Sequence, residues 1–79
     1  MTSDRRKLEE LLVSAESSLD SAGSLRSSAL VCLDDAKRLE REGFLRDAGR
    51  RALDSLRYSV GVFSPVYTRA SETLEELDR

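Results

Sequence analysis

The chain has 79 residues, with 13 basic and 15 acidic side chains for a net charge of −2, one cysteine and no histidine. That length allows a single domain, 1–79, near the lower limit for a self-sufficient hydrophobic core. The near-balanced charge excludes a globally basic nucleic-acid binder, the lone Cys32 excludes an internal disulfide, and the missing histidine excludes His-containing metal sites and His-based catalysis.

With no internal staple available, association is the remaining way for so small a fold to gain stability. The expected partner is a second copy, most simply in a two-fold homodimer, or another protein. Met1 to Lys7 lead into charged residues, so no signal peptide is expected. The longest apolar runs, Leu11-Leu12-Val13 and Ala29 to Leu33, fall far short of a membrane span. A lone thiol and no export signal give a cytoplasmic expectation.

In chain order, the first predicted element is a helix over Asp4–Ala22, with Leu8, Leu11/Leu12, Ala15, Leu19 and Ala22 at helical spacing. The Ser/Gly stretch before Ser24 breaks it, and Ser24 is the expected cap of a second helix, Leu25–Glu42. That helix carries Leu25, Ala29, Cys32/Leu33, Ala36 and Leu39 on one face, which makes Cys32 a buried, inert thiol. Gly43 supplies a left-handed residue to end it, and the short connection predicts an αα-hairpin with the next helix.

The third predicted helix, Phe44–Asp78, carries the strongest apolar pattern. Leu56, Val60, Phe63, Tyr67, Ala70, Leu74 and Leu77 alternate steps of four and three directly across Pro65. A proline inside a helix loses the hydrogen bond to the residue four back and crowds that carbonyl, and here that residue is Gly61, which has no side chain. The preserved phase favours one long helix kinked near Pro65. The alternative is a break at Ser64-Pro65, with Ser64 capping a fourth helix and Pro65 at its first position. The predicted fold class is therefore all-α, an antiparallel three-helix bundle whose third helix, on the order of 50 Å long, overhangs the others.

No catalytic constellation stands out, so the chain is read as a non-enzyme with no cofactor. Adjacent acids such as Asp34-Asp35 point to different sides of a helix, and i,i+4 pairs such as Asp34 with Arg38 are their expected use. Two surfaces carry functional content. The candidate contact surface is the seam Leu56, Val60, Phe63, Tyr67, Leu74 and Leu77, with Phe63, Tyr67, Leu74 and Leu77 exposed on the overhang. Val13, Val31, Leu53 and Val62 lie off the seams, and either fill the core or widen a partner face. The second surface is a candidate phosphate site, Arg38, Arg41, Arg46, Arg50 and Arg51, in a segment where Lys37 to Arg57 holds seven basic against four acidic residues.

Asp35-Ala36-Lys37, then Gly43, Ala48, and the later Tyr58 with Gly61, resemble a small archaeal helical family, domain-of-unknown-function family 357. The resemblance covers about half the chain and implies a compact three-helix protein with no assigned catalytic residues. The spacing of Ala36, Leu39, Gly43, Ala48 and Ala52 is also similar to one tetratricopeptide-type hairpin, although a solenoid needs further copies. A comparable hairpin occurs in the HEPN nuclease family, whose catalytic motif needs the histidine missing here. The functional expectation is a self-associating, non-catalytic helical interaction or assembly module. Nucleic-acid or nucleotide binding through the basic hairpin end is the alternative.

Overall fold

The computed structural model describes residues 2–77, so the predicted end at Asp78 lies outside the described residues. Four α-helices, α1 (Thr2–Ser17), α2 (Arg26–Arg41), α3 (Leu45–Ser59) and α4 (Pro65–Leu77), are joined with a 3₁₀ segment at Leu19–Leu25, and there is no strand among the described residues. The first helix therefore ends five residues before the predicted Ala22. The Ser/Gly stretch instead winds into 3₁₀ turns that Gly23 interrupts at φ 56° and ψ −123°. Ser24 does not cap α2: the capping position falls to Leu25, with no side-chain hydrogen bond.

The α2–α3 turn forms as the sequence predicts. Gly43 takes φ 90°, its N–H donates to the Glu40 carbonyl at 3.0 Å, and the Phe44 N–H donates to the Leu39 carbonyl at 2.9 Å. These two bonds close the end of α2 in a Schellman arrangement and send the chain straight into α3. The helices then face each other, with Ser55 opposite Ala29 and Arg51 opposite Asp35.

The expected kink at Pro65 is a break, and the four-helix alternative is the observed one. Gly61 adopts φ 88°, which ends α3, and its carbonyl accepts the Ser64 N–H at 3.2 Å instead of continuing a helix. Ser64 then caps α4: its Oγ accepts the Val66 N–H at 3.1 Å and its carbonyl accepts the Thr68 N–H at 3.1 Å. Pro65 sits at the first helical position, where its missing donor costs nothing and its fixed φ suits the helix. The glycine four residues back is thus required for its left-handed backbone, not to relieve a proline clash.

Consequently there is no overhang. The longest dimension of the molecule is 36 Å, too short for the 50 Å helix, and α4 turns back so that Leu74 and Leu77 reach Gly49 of α3 beside Leu11 of α1. The buried apolar core consists of eight leucines, seven alanines and Cys32. Alanine and leucine are the strongest apolar helix formers, and alanine against leucine lets helix backbones come close. All five valines, both phenylalanines and both tyrosines lie outside that buried set, although Val60 and Tyr67 pack against its edge.

Cross-helix ion pairs lie over the core: Arg5 with Glu40 at 3.7 Å, Lys37 with Glu16 at 2.9 Å and Lys7 with Glu76 at 3.2 Å. Each has one exposed partner and is worth little on its own.

Candidate functional site

The predicted seam divides in the structure. Leu56, Leu74 and Leu77 are buried in the core, and Val60 and Tyr67 are half-buried against it. The three leucines are core rather than an exposed contact surface, and Val60 and Tyr67 pack at its edge. Their phase across Pro65 is kept because α4, after turning back, packs on the same leucine cluster as α3. Phe63 alone is left outside, at 98% exposure.

Of the residues off the seams, Leu53 packs on the core, whereas Val13, Val31 and Val62 are exposed. Val13 leads to a groove. On α1 the inward stripe is Leu8, Leu11, Leu12 and Ala15, so the stripe beside it, Arg6, Glu9/Glu10 and Val13, runs along the flank that faces α4. On α4 the inward residues are Ala70, Leu74 and Leu77, which leaves Val66, Arg69 and Thr73 on the flank facing α1. Between them is a groove of about 630 Å³. Buried Leu11 and Ala70 form its floor, and exposed Val13 and Val66 stand on opposite sides.

Ser14 and four charged residues, Arg6, Glu9, Glu10 and Arg69, also line it, and among the described residues none of these four charged side chains makes an ion pair or hydrogen bond. Sequence reasoning named Val13 but missed the rest of the groove. Its signal was a mixed stripe one step off the α1 seam, but a charged stripe next to a seam looks the same when it faces only water. Its pairing with α4 depended on the turn at Gly61, which the favoured single-helix reading lacked.

The arginine cluster is arranged differently. The Asp35 carboxylate accepts the Arg51 Nε–H at 2.9 Å and also hydrogen bonds from Arg38. Arg51 reaches Asp54 at 3.0 Å, and Arg38 reaches Glu42 at 3.2 Å. The Arg38 partners are Asp35 and Glu42, not the expected Asp34. The Arg38 guanidinium, followed by that of Arg51, holds the Asp35 carboxyl below the usual carboxylate range. Arg46 and Arg50 are exposed and likewise have partners, and Arg41 is exposed nearby. Of the five, the guanidinium forks of Arg38 and Arg51 already share carboxylates, which occupies the donors a phosphate would use.

A second groove, of about 450 Å³, is lined by Cys32, Arg51, Asp54, Arg57 and Tyr58. Cys32 is buried as expected, and burial pushes its thiol above the ordinary range, away from the reactive thiolate form. No helix is long and apolar enough to cross a membrane among the described residues. No protein-family model, curated protein or solved structure matches the chain.

Proposed function

We propose that this protein is a non-catalytic helical interaction or assembly module, with the α1–α4 groove and Phe63 as its contact surface. The scaffold in this reading is an up-and-down bundle of antiparallel helices, working in a reducing, cytoplasmic setting.

The observation that carries the reading is how the apolar side chains are sorted. The interior is filled by leucine and alanine, while Val13, Val66 and a fully exposed aromatic, Phe63, face outward. Aromatic side chains are enriched at interfaces, where their large area is buried on association. Phe63 stands three residues before Val66, so at most about 11 Å of chain separates it from the groove wall.

The nucleic-acid reading has less support, because Arg38 and Arg51 are held by Asp35, Asp54 and Glu42. The test compares proteins retained from a lysate of the source cells by the immobilised wild type and by a Val13→Glu/Val66→Glu variant. Both substitutions are at exposed positions, so the fold is retained, as circular dichroism would verify. Selective loss of retained proteins in the variant supports the reading, and an unchanged set sinks it.

A further inference from the structure

We propose that the occupant of the α1–α4 groove is a second copy of this chain, placed about a two-fold axis so that Phe63 of each copy enters the groove of the other. The inference rests on the groove being an interaction surface, and it names the partner.

Its first support is electrostatic. The groove presents two cations, Arg6 and Arg69, and two anions, Glu9 and Glu10, beside an apolar centre. A strongly acidic or basic partner would meet as much repulsion as attraction there. A two-fold contact places the same surface on both sides, so each arginine can meet a glutamate of the other copy. These four groups are also without ion pairs among the described residues, whereas charges elsewhere on α1, such as Arg5, Lys7 and Glu16, have cross-helix partners.

The second support is steric. The chain supplies its own apolar knob, Phe63, at 98% exposure on the link leading into α4. A groove of about 630 Å³ with Leu11 and Ala70 at its floor has room for a benzyl side chain. Rotation about a two-fold axis makes the exchange reciprocal, so one contact covers both exposed rings and both grooves.

The mass is measured by light scattering after size exclusion and by sedimentation, from roughly 1 µM to 1 mM protein, a range that spans weak dimers. The wild type is expected to move from monomer to dimer within that range. Phe63→Ser should weaken pairing by about tenfold or more, since a buried aromatic anchor typically carries at least that share of the binding energy. Arg69→Glu and Glu10→Arg place like charges across the two-fold contact, so each variant alone should fail to pair. Mixed in equal amounts they restore opposite charges at both contacts and should form a dimer.

A wild type that remains monomeric at 1 mM overturns the proposal, as does a Phe63→Ser variant that pairs as well as wild type or a charge-swapped mixture that stays monomeric. These outcomes leave the interaction reading standing if the Val13→Glu/Val66→Glu variant still loses its retained proteins. Loss of that reading alone is recognised by an unchanged set of retained proteins.

Discussion

Ser55 Oγ on α3 donates a 2.7 Å hydrogen bond to the backbone carbonyl of Ala29 on α2, and the serine is fully buried. A helix carbonyl has a second lone pair, so the bond satisfies a buried hydroxyl without breaking the α2 ladder. It also fixes the register of the two helices at a point where small side chains give little shape to lock. Ser55→Ala is expected to lower stability by about 1 kcal/mol, partly offset by alanine's better helix propensity. Urea denaturation measures this, and a variant at least as stable as wild type would show that the bond contributes no more than alanine's gain in helix propensity.

Asp35 gives a pH prediction with a definite sign. Hydrogen bonds from Arg38, and then Arg51, lower its folded-state pKa below the unfolded value of about 3.9. Its contribution is therefore fully present above that unfolded value and is lost as pH falls through the folded value. Asp35→Asn should lower the melting temperature at pH 7, with the gap to wild type closing as the pH is taken below about 4. A gap that stays constant down to pH 2 would contradict this account.

Gly61 and Pro65 separate a helix break from a kink. With φ at 88° and no neighbouring atom within 4 Å of an added Cβ, Gly61→Ala should cost only the backbone strain, about 1–2 kcal/mol. Pro65→Ala at a first helical position should change stability by less than about 1 kcal/mol. Within a continuous helix, the same change would stabilise by about 3 kcal/mol. Thermal unfolding of both variants distinguishes the cases.

Gly49 is where α1 and α4 close on α3. An added Cβ would lie 2.9 Å from Leu74 Cδ1, 3.2 Å from Leu77 Cδ1 and 3.4 Å from Leu11 Cδ1. Alanine gains about 1 kcal/mol of helix propensity and must displace flexible leucine ends, so Gly49→Ala should come out near neutral. Gly49→Leu has no such relief and should destabilise by about 1–3 kcal/mol, through overpacking. Equal stability of the leucine variant and wild type would mean that the approach is looser than described.

The sequence revealed which faces are buried far better than where the chain turns. Leu8, Leu11, Ala29, Leu33, Ala36 and Leu56 all went to the core as their spacing predicts. Gly43 ended α2 for the reason read from it. The Pro65 region misled because apolar phase records burial, and burial is the same whether α4 continues straight onto a partner or folds back onto its own core. Of the seam residues, Phe63 alone stays outward because a side chain in a link is not forced inward by the helix that follows. The carboxylate partners of Arg51 were not legible because Asp35 lies across the α2–α3 contact from it, a proximity set by tertiary packing.

The tight turn at Gly43 also bears on the order of assembly. Only three residues, Glu42 to Phe44, separate α2 from α3, so bringing these two helices together costs little loop entropy. Docking α1 against α4 joins opposite ends of the chain and must wait on that first pairing. Folding nuclei built on short-range contacts form fast. Substitutions at the α2–α3 contact, such as Ser55→Ala, should therefore slow refolding, whereas substitutions where Leu74 meets Gly49 should mainly speed unfolding. Stopped-flow kinetics reads the two effects separately. The molecule would then carry its candidate binding groove on the part of the fold that closes last and opens first.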